Sequence, residues 1–308
     1  MSNAATTSAG RPREASPTDR NPASKLDDRA AALQFLQKLA AELSGGTVNL
    51  PCFPDVVVHI RIALADPDAR LTETVRIVGA EPRLAARLLQ AANSAAMNHS
   101  GKPLTDLRAA ITRLGHSAVQ SAAMAFAVQQ VRLAPSLRSI AAPLKLLWEE
   151  SIAVASIGQV IARRTSVRPD EAFLTGLLHG IGRLYIMIRA VGNSATACGG
   201  QPFMDMVDSW HASIGKAVLE NWGFADAMAE AVGLQGDYEH GRKHVPDLTD
   251  VLIAAVVLAQ ALKEPEPRAV DMIGIHAFHR LGLTAEDCAA ILKHAEYQLG
   301  SLHEVLGC

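Results

Sequence analysis

The chain has few aromatic side chains, 4% of 308 residues, although 49% of it is apolar. A core with so few rings must be built from Ala, Leu, Val and Ile, a composition that favours close-packed helices. An excess of charge of one sign is also missing. The 29 basic and 31 acidic residues leave a formal net charge of −2 and a pI near 6.6, which argues against wholesale nucleic-acid binding. Only four cysteines occur, Cys52, Cys198, Cys288 and Cys308, with no C-x-x-C pair among them. That excludes a zinc ribbon or a dithiol redox motif and is ordinary cytosolic usage. No apolar run approaches the roughly eighteen residues of a membrane span; the longest, residues 251–261, reads as a buried helix. The N-terminal residues lack the charged-then-apolar layout of a signal peptide, so a cytoplasmic location without a membrane partner is expected.

Strand signals are lacking too. No segment alternates convincingly, and no Asn-Gly or Asp-Gly turn separates two apolar runs. What is present is helical periodicity. Residues 1–25 are rich in Ser, Thr, Ala, Pro, Asn and Arg and read as a disordered tail, unable to bury enough surface to offset the entropy of ordering. A helix is expected from Asp27-Asp28 through Leu33, Leu36, Leu39 and Leu43 to the Gly45-Gly46 stop. Val56, Val57, Ile60 and Leu64 mark a second. Thr72 caps a short third, and Pro82 opens a fourth that ends at Asn93-Ser94. Asp106 or Thr105 caps residues 107–114, Gly115 stops that helix, and an Ala-rich one follows to about 131. Further helices are expected through Trp148 to 164, and over 169–179, 181–190, 211–222, 226–234, 249–262, 270–281 and 284–305. The fold class is therefore all-α, with no repeat of fixed period.

The most informative stretch runs Gly176-Leu177-Leu178-His179-Gly180-Ile181-Gly182-Arg183-Leu184. Hard divalent ions want charged oxygen ligands, and Gly180 supplies neither charge nor side-chain oxygen. One imidazole alone is a weak metal site. On its residues, His179 reads as a hydrogen-bonded, half-buried histidine at a helix end, and no metal or other cofactor is expected. Asn93-Ser94 reads as a cap or kink, with a polar contact joining two lobes as the alternative. His211 reads as an N-terminal hydrogen-bonding group opening its helix, and His240 and His244 as surface histidines in a loop. Arg76, Arg83, Arg87, Lys102, Arg108 and Arg113 form a locally basic stretch that reads as a solvated helix face. No G-x-S-x-G elbow, glycine-rich phosphate loop or H-E-x-x-H pair appears.

Three patterns arrive in order: Leu50-Pro51 followed by Pro54; residues 81–94, with Pro82 near the start and Asn93-Ser94 at the end; and Leu114-Gly115 closing residues 110–115. With Trp148, residues 172–184 including Gly182, the His211 segment and Trp222, they resemble the HDOD family, HD-related output domains of bacterial signalling proteins, over residues 43–262. The resemblance implies two lobes, an N-terminal helical bundle over 26–135 and an HD-like helical lobe over 136–308. It also implies a regulatory output role without catalysis, in a two-component or cyclic-di-GMP-linked pathway. The partners it implies are other signalling proteins. Glu150, Gly180 and Gln235 stand where the family often carries His, Asp and His, so Glu150, His179, Gly180, His211 and Gln235 are altered or isolated HD-type positions. Pro82, Asn93, Ser94, Leu114, Gly115, Trp148, Gly182 and Trp222 are expected to be structural. Two rival readings remain: a divalent-metal phosphohydrolase acting on a nucleotide, and a domain that binds a nucleotide ligand without turning it over.

Overall fold

A computed structural model of the chain describes residues 22–45, 71–94, 97–98, 101–191, 201–241, 245–263 and 274–306. Among the described residues every regular element is a helix. In chain order they are α1 (Pro22–Ser44), α2 (Leu71–Gly79), α3 (Pro82–Ala92), α4 (Leu107–Leu114), α5 (His116–Arg132), a 3-10 turn (Pro135–Ile140) and α6 (Ala141–Ala162). There follow α7 (Pro169–Leu178), α8 (Ile181–Ala190), α9 (Gln201–Asn221), α10 (Asp226–Gly233), α11 (Leu248–Ala261), α12 (His276–Leu281) and α13 (Ala285–Leu306).

Local chemistry explains several of the boundaries. Glu81 caps α3 by accepting from the Arg83 amide, and Pro82 takes the first turn, where a missing N–H is harmless. Asp106 caps α4 by accepting from the Ala109 amide at 2.8 Å. Gly115, at φ +80°, separates α4 from α5 in a conformation open to glycine and costly for other residues. Ahead of α11, Asp247 and Asp250 form a reciprocal capping box.

Helices α2 to α5 pack on one another, and α5 leans on α6 and α7. Helix α6 is the centre of the remainder, lined by α7, α11 and α13, while α9 lies between α8 and α10. One continuous buried cluster joins Leu84, Leu88 and Val119 of the first group to Trp148, Leu177, Tyr185 and Ile253 of the second. Helix α1 packs against α9. Its Glu42 accepts hydrogen bonds from Tyr185 and Arg189, and the Leu43 carbonyl accepts from Asn221 at 3.2 Å.

Several expectations need correction. Helix α1 begins at Pro22, inside the stretch read as tail. Leu36, Leu39 and Leu43 are buried as expected, but Leu33 is 57% exposed and Phe35 is buried in its stead. Thr72 lies within α2 rather than capping it, its hydroxyl accepting from Arg108 at 3.0 Å. Helix α9 starts ten residues ahead of the expected 211, because Phe203, Met206 and Val207 extend the apolar stripe read only from Ile214 onward. The helix expected over 270–281 is α12, from His276; residues 270–273 lie outside the described residues, as do the tail before 22 and the expected helix at Val56–Leu64.

Asn93 is the C-cap of α3, as the first of its readings has it, and its side chain makes a contact within the N-terminal helices rather than between two lobes. Its side-chain amide donates to the Leu104 carbonyl at 2.8 Å and accepts from the Leu104 amide at 2.7 Å. Residue 93 thereby replaces a peptide partner and pins the connection ahead of α4 to the end of α3, inside the N-terminal group of helices. Part of the basic stretch is also drawn inward. The Arg87 guanidinium stacks 5.6 Å from the Phe126 ring centre, and Arg113 donates to the Ala92 carbonyl.

Candidate functional site

The HD-type positions gather where four helices end or cross. Glu150 projects from the middle of α6, His179 closes α7, Gly180 opens α8 and Gln235 follows α10. The His179 side chain is buried. Its Nδ1 lies 2.7 Å from the Gly176 carbonyl. A carbonyl only accepts, so Nδ1–H donates and Nε2 is the atom turned outward. Nε2 stands 3.9 Å from Glu150 Oε1, and the other Glu150 oxygen accepts from the Lys263 ammonium at 3.0 Å. Gln235 closes the back of the site by donating to the His179 carbonyl at 3.1 Å and the Val232 carbonyl at 2.9 Å.

Gly180 is packed as well as uncharged. A Cβ built there would fall 2.6 Å from Cδ1 of Leu147 and 3.5 Å from the Ser151 hydroxyl. The Leu147 side chain therefore stands in the space into which a side chain at 180 would grow.

His211 lies in the middle of α9, so the reading that it opens a helix is overturned. Its Nδ1 points back to the Asp208 and Val207 carbonyls at 3.0 and 3.2 Å. Burial, then the nearby Arg183 charge, pull its pKa below the usual histidine value. The neutral ring is thereby favoured, with Nδ1 acting as a donor.

The Glu150 carboxyl is held at about 2 rather than 4.5, by the facing His179 first and by Lys263, against the opposing effect of burial. A carboxylate with a depressed folded pKa adds stability that is present above its unfolded pKa and is lost as pH falls through the folded one. Discounted for partial solvent screening, the contribution is about 2 kcal/mol at neutral pH. The stability gap between the native chain and Glu150→Gln, followed by urea unfolding, is expected to close between pH 4.5 and 2. A gap that stays constant over that range would contradict this assignment.

A second polar cluster was not foreseen. His240, Asp247 and Asp250 bring ligand-type atoms within 4.8 Å of one another. Arg280 already supplies the cation: it grips both oxygens of buried Asp250 and donates to the Gly241 carbonyl at 2.6 Å. His240 is half-buried, with Nε2 3.4 Å from Asp247, and not a surface group; His244 lies outside the described residues. Lys263 was missed because 113 residues separate it from Glu150. The pattern Asp247-Leu248-Thr249-Asp250 before an apolar run was a legible signal of a capping box.

The sequence pattern of the HDOD domain matches residues 50–238. This chain belongs to the HDOD family. Solved structures share the fold at low identity. A candidate metal-dependent phosphohydrolase from Shewanella amazonensis superposes with a TM-score of 0.63 at 23% identity, covering 86% of this chain and 99% of that one. An HDOD domain protein of unknown function from Geobacter sulfurreducens gives 0.59 at 22%, covering 89% and 99%. A candidate signal transduction protein from Marinobacter aquaeolei gives 0.58 at 18%, covering 92% and 67%. A curated relative, an uncharacterized protein of Treponema pallidum, is 24% identical over 233 residues, 72% of this chain; the match spans 44% of that relative's length. No helix among the described residues is long and apolar enough to cross a membrane.

Proposed function

We propose that this HDOD chain is a cytoplasmic, non-catalytic output module that relays a signal by binding other signalling proteins, in a two-component or cyclic-di-GMP-linked pathway. The observation that carries this reading is Gly180 beneath Leu147. The position that would have to offer a second charged oxygen offers none, and a side chain there would first have to displace the Leu147 methyl. A divalent ion polarises water only when anionic ligands hold it with a position left open. Here a single carboxylate, Glu150, faces one imidazole, and it is already engaged by Lys263. These residues do not fit a catalytic divalent centre, so no hydrolytic step is assigned to them. The shape of the helical surface is then what the family fold has to offer a partner.

The test combines metal analysis of the purified chain, turnover of bis(p-nitrophenyl) phosphate and a cyclic dinucleotide with added Mn²⁺ or Mg²⁺, and cross-linking in the native cell. The expected result is no stoichiometric metal, no turnover above buffer, and reproducible cross-links to a signalling protein. Turnover abolished by His179→Ala would overturn the non-catalytic half. A chain that cross-links to nothing would overturn the interaction half.

A further inference from the structure

Between Asp106 and Glu149 the chain carries no acidic residue. An even spread of its 31 acids over 308 residues would put about four there. The cations of this run are Arg108, Arg113, Arg132, Arg138 and Lys145. The first two donate to the Thr72 hydroxyl and the Ala92 carbonyl. The last three stand on one corner of the fold, where α5 ends, the 3-10 turn follows and α6 begins. Leu133 and Leu146 of the same corner are 56% and 64% exposed, and Ala141, Ala142 and Pro143 between them are exposed too. Leu137, Ile140 and Leu144 are buried and anchor the corner from below. Among the described residues, Glu149 is the one carboxylate that reaches any of the three cations, an exposed contact with Lys145 at 3.7 Å that is worth little. Arg132 is half-buried beside an apolar recess that it lines with Val128, Leu144 and Trp148, and its Nε has no hydrogen-bond partner.

Exposed leucines set among arginines are the composition of a protein interface, where apolar anchors and Arg are enriched. We propose that the corner from Arg132 to Leu146 is the docking surface for an acidic amphipathic helix of another signalling protein. Its apolar side chains cover Leu133 and Leu146, and its carboxylates meet Arg132 and Arg138. This inference rests on the partner-binding reading and deepens it by naming the surface and the chemistry of the partner. Charge complementarity selects an acidic partner, and a surface made of helix ends, with no sheet edge beside it among the described residues, selects a helix over an added strand. Nucleic acid fits less well, because the corner offers no exposed aromatic ring for stacking and the chain as a whole is slightly acidic. An anionic membrane also fits less well, since segments held on lipid by charge gather about four to eight cations and this corner has Arg132, Arg138 and Lys145.

The test places the photo-cross-linker benzoylphenylalanine at position 133 or 146 of the full chain in the native cell, with position 33, an exposed leucine on α1, as the control. Cross-linked peptides are sequenced. Positions 133 and 146, but not 33, are expected to link to one segment of a signalling protein that carries Asp or Glu beside leucines at helical spacing. A synthetic peptide of that segment is then titrated by fluorescence anisotropy. Leu133→Ser with Leu146→Ser, and Arg132→Glu with Arg138→Glu, are each expected to weaken its binding at least tenfold (order of magnitude) while Tm is unchanged, and added salt is expected to weaken binding by the native chain. Should the paired arginine variant fail to fold, Arg138→Glu alone, at an exposed position, is expected to weaken binding by roughly threefold or more. Vesicles of equal parts phosphatidylserine and phosphatidylcholine and a short DNA duplex are titrated beside the peptide and are expected not to bind. The proposal is overturned by cross-links no stronger from 133 and 146 than from 33, by a linked segment without acids, or by a folded charge-reversed variant that holds the peptide as tightly as the native chain. Vesicle or duplex binding that the same substitutions remove would also overturn it. Cross-links to a signalling protein from position 33 alone would sink this surface and leave the partner-binding reading standing, whereas phosphoester turnover lost in His179→Ala would sink the non-catalytic reading alone.

Discussion

Gly182→Ala is expected to remove at least about 3 kcal/mol of stability, enough to leave a large unfolded fraction in a domain of ordinary marginal stability. Helix α8 crosses α9 at this residue, and a Cβ there would fall 1.9 Å from the His211 carbonyl oxygen and 2.6 Å from the Gly215 amide nitrogen. Those atoms are backbone held inside α9, so no rotamer change relieves the overlap and the two helices must separate. Separation would open the packing of Ile181, Leu184 and Tyr185 as well. Gly180→Ala, two residues away, is the internal control. Its added Cβ overlaps with the end of the Leu147 side chain, which can turn aside, while the Ser151 hydroxyl stands at ordinary contact distance, and a cost of roughly 1 kcal/mol or less is expected. Urea unfolding of the two variants side by side gives the comparison. Equal losses would show that the close helix crossing at 182 does not govern stability.

That pair of glycines shows what was legible in the sequence and what was not. The all-helical class followed from periodicity, which also gave residues 181–190 for α8, and capping signals located two starts: Glu81-Pro82 for α3 and Asp106 for α4. Local rules suffice where the causes lie within one turn of the chain. They failed where tertiary burial decided the outcome. Helix α9 extends back to Gln201 because Phe203, Met206 and Val207 find a core, and Leu33 is exposed because α1 presents Phe35 beside Leu36, Leu39 and Leu43 to its neighbours. At the site, the residue types at 179 and 180 raised the question of a missing ligand. The answer depended on groups far along the chain, Lys263 on Glu150 and Leu147 over Gly180. Asn93 illustrates the same limit: its polar side chain was recognised, but its partner, the Leu104 backbone, became visible only once the chain had turned back.

Arg280→Met is expected to cost about 3 to 5 kcal/mol, because it strands a buried charge. Asp250 is 1% exposed, and Arg280 donates to both of its oxygens, through Nε at 3.0 Å and through Nη2. The same guanidinium holds the Gly241 carbonyl, so one side chain on α12 fastens the segment after α10 to the first turn of α11. Asp250 has a second duty, accepting the Asp247 amide in the capping box while Asp247 accepts from the amides of Thr249 and Asp250. A carboxylate that loses its cation here is not free to turn to water without releasing the helix start. Two further substitutions separate the causes. Arg280→Lys keeps the charge and loses the two-pronged geometry, so it should recover only part of the loss. Asp250→Asn combined with Arg280→Met removes the stranded charge and should be less damaging than Arg280→Met alone, a coupling that a double-mutant cycle in urea reads directly. Additive losses in that cycle, or a loss below about 1 kcal/mol for Arg280→Met, would mean that Asp250 finds another partner and that α12 is held by its apolar contacts, chiefly Phe278 and Ala277.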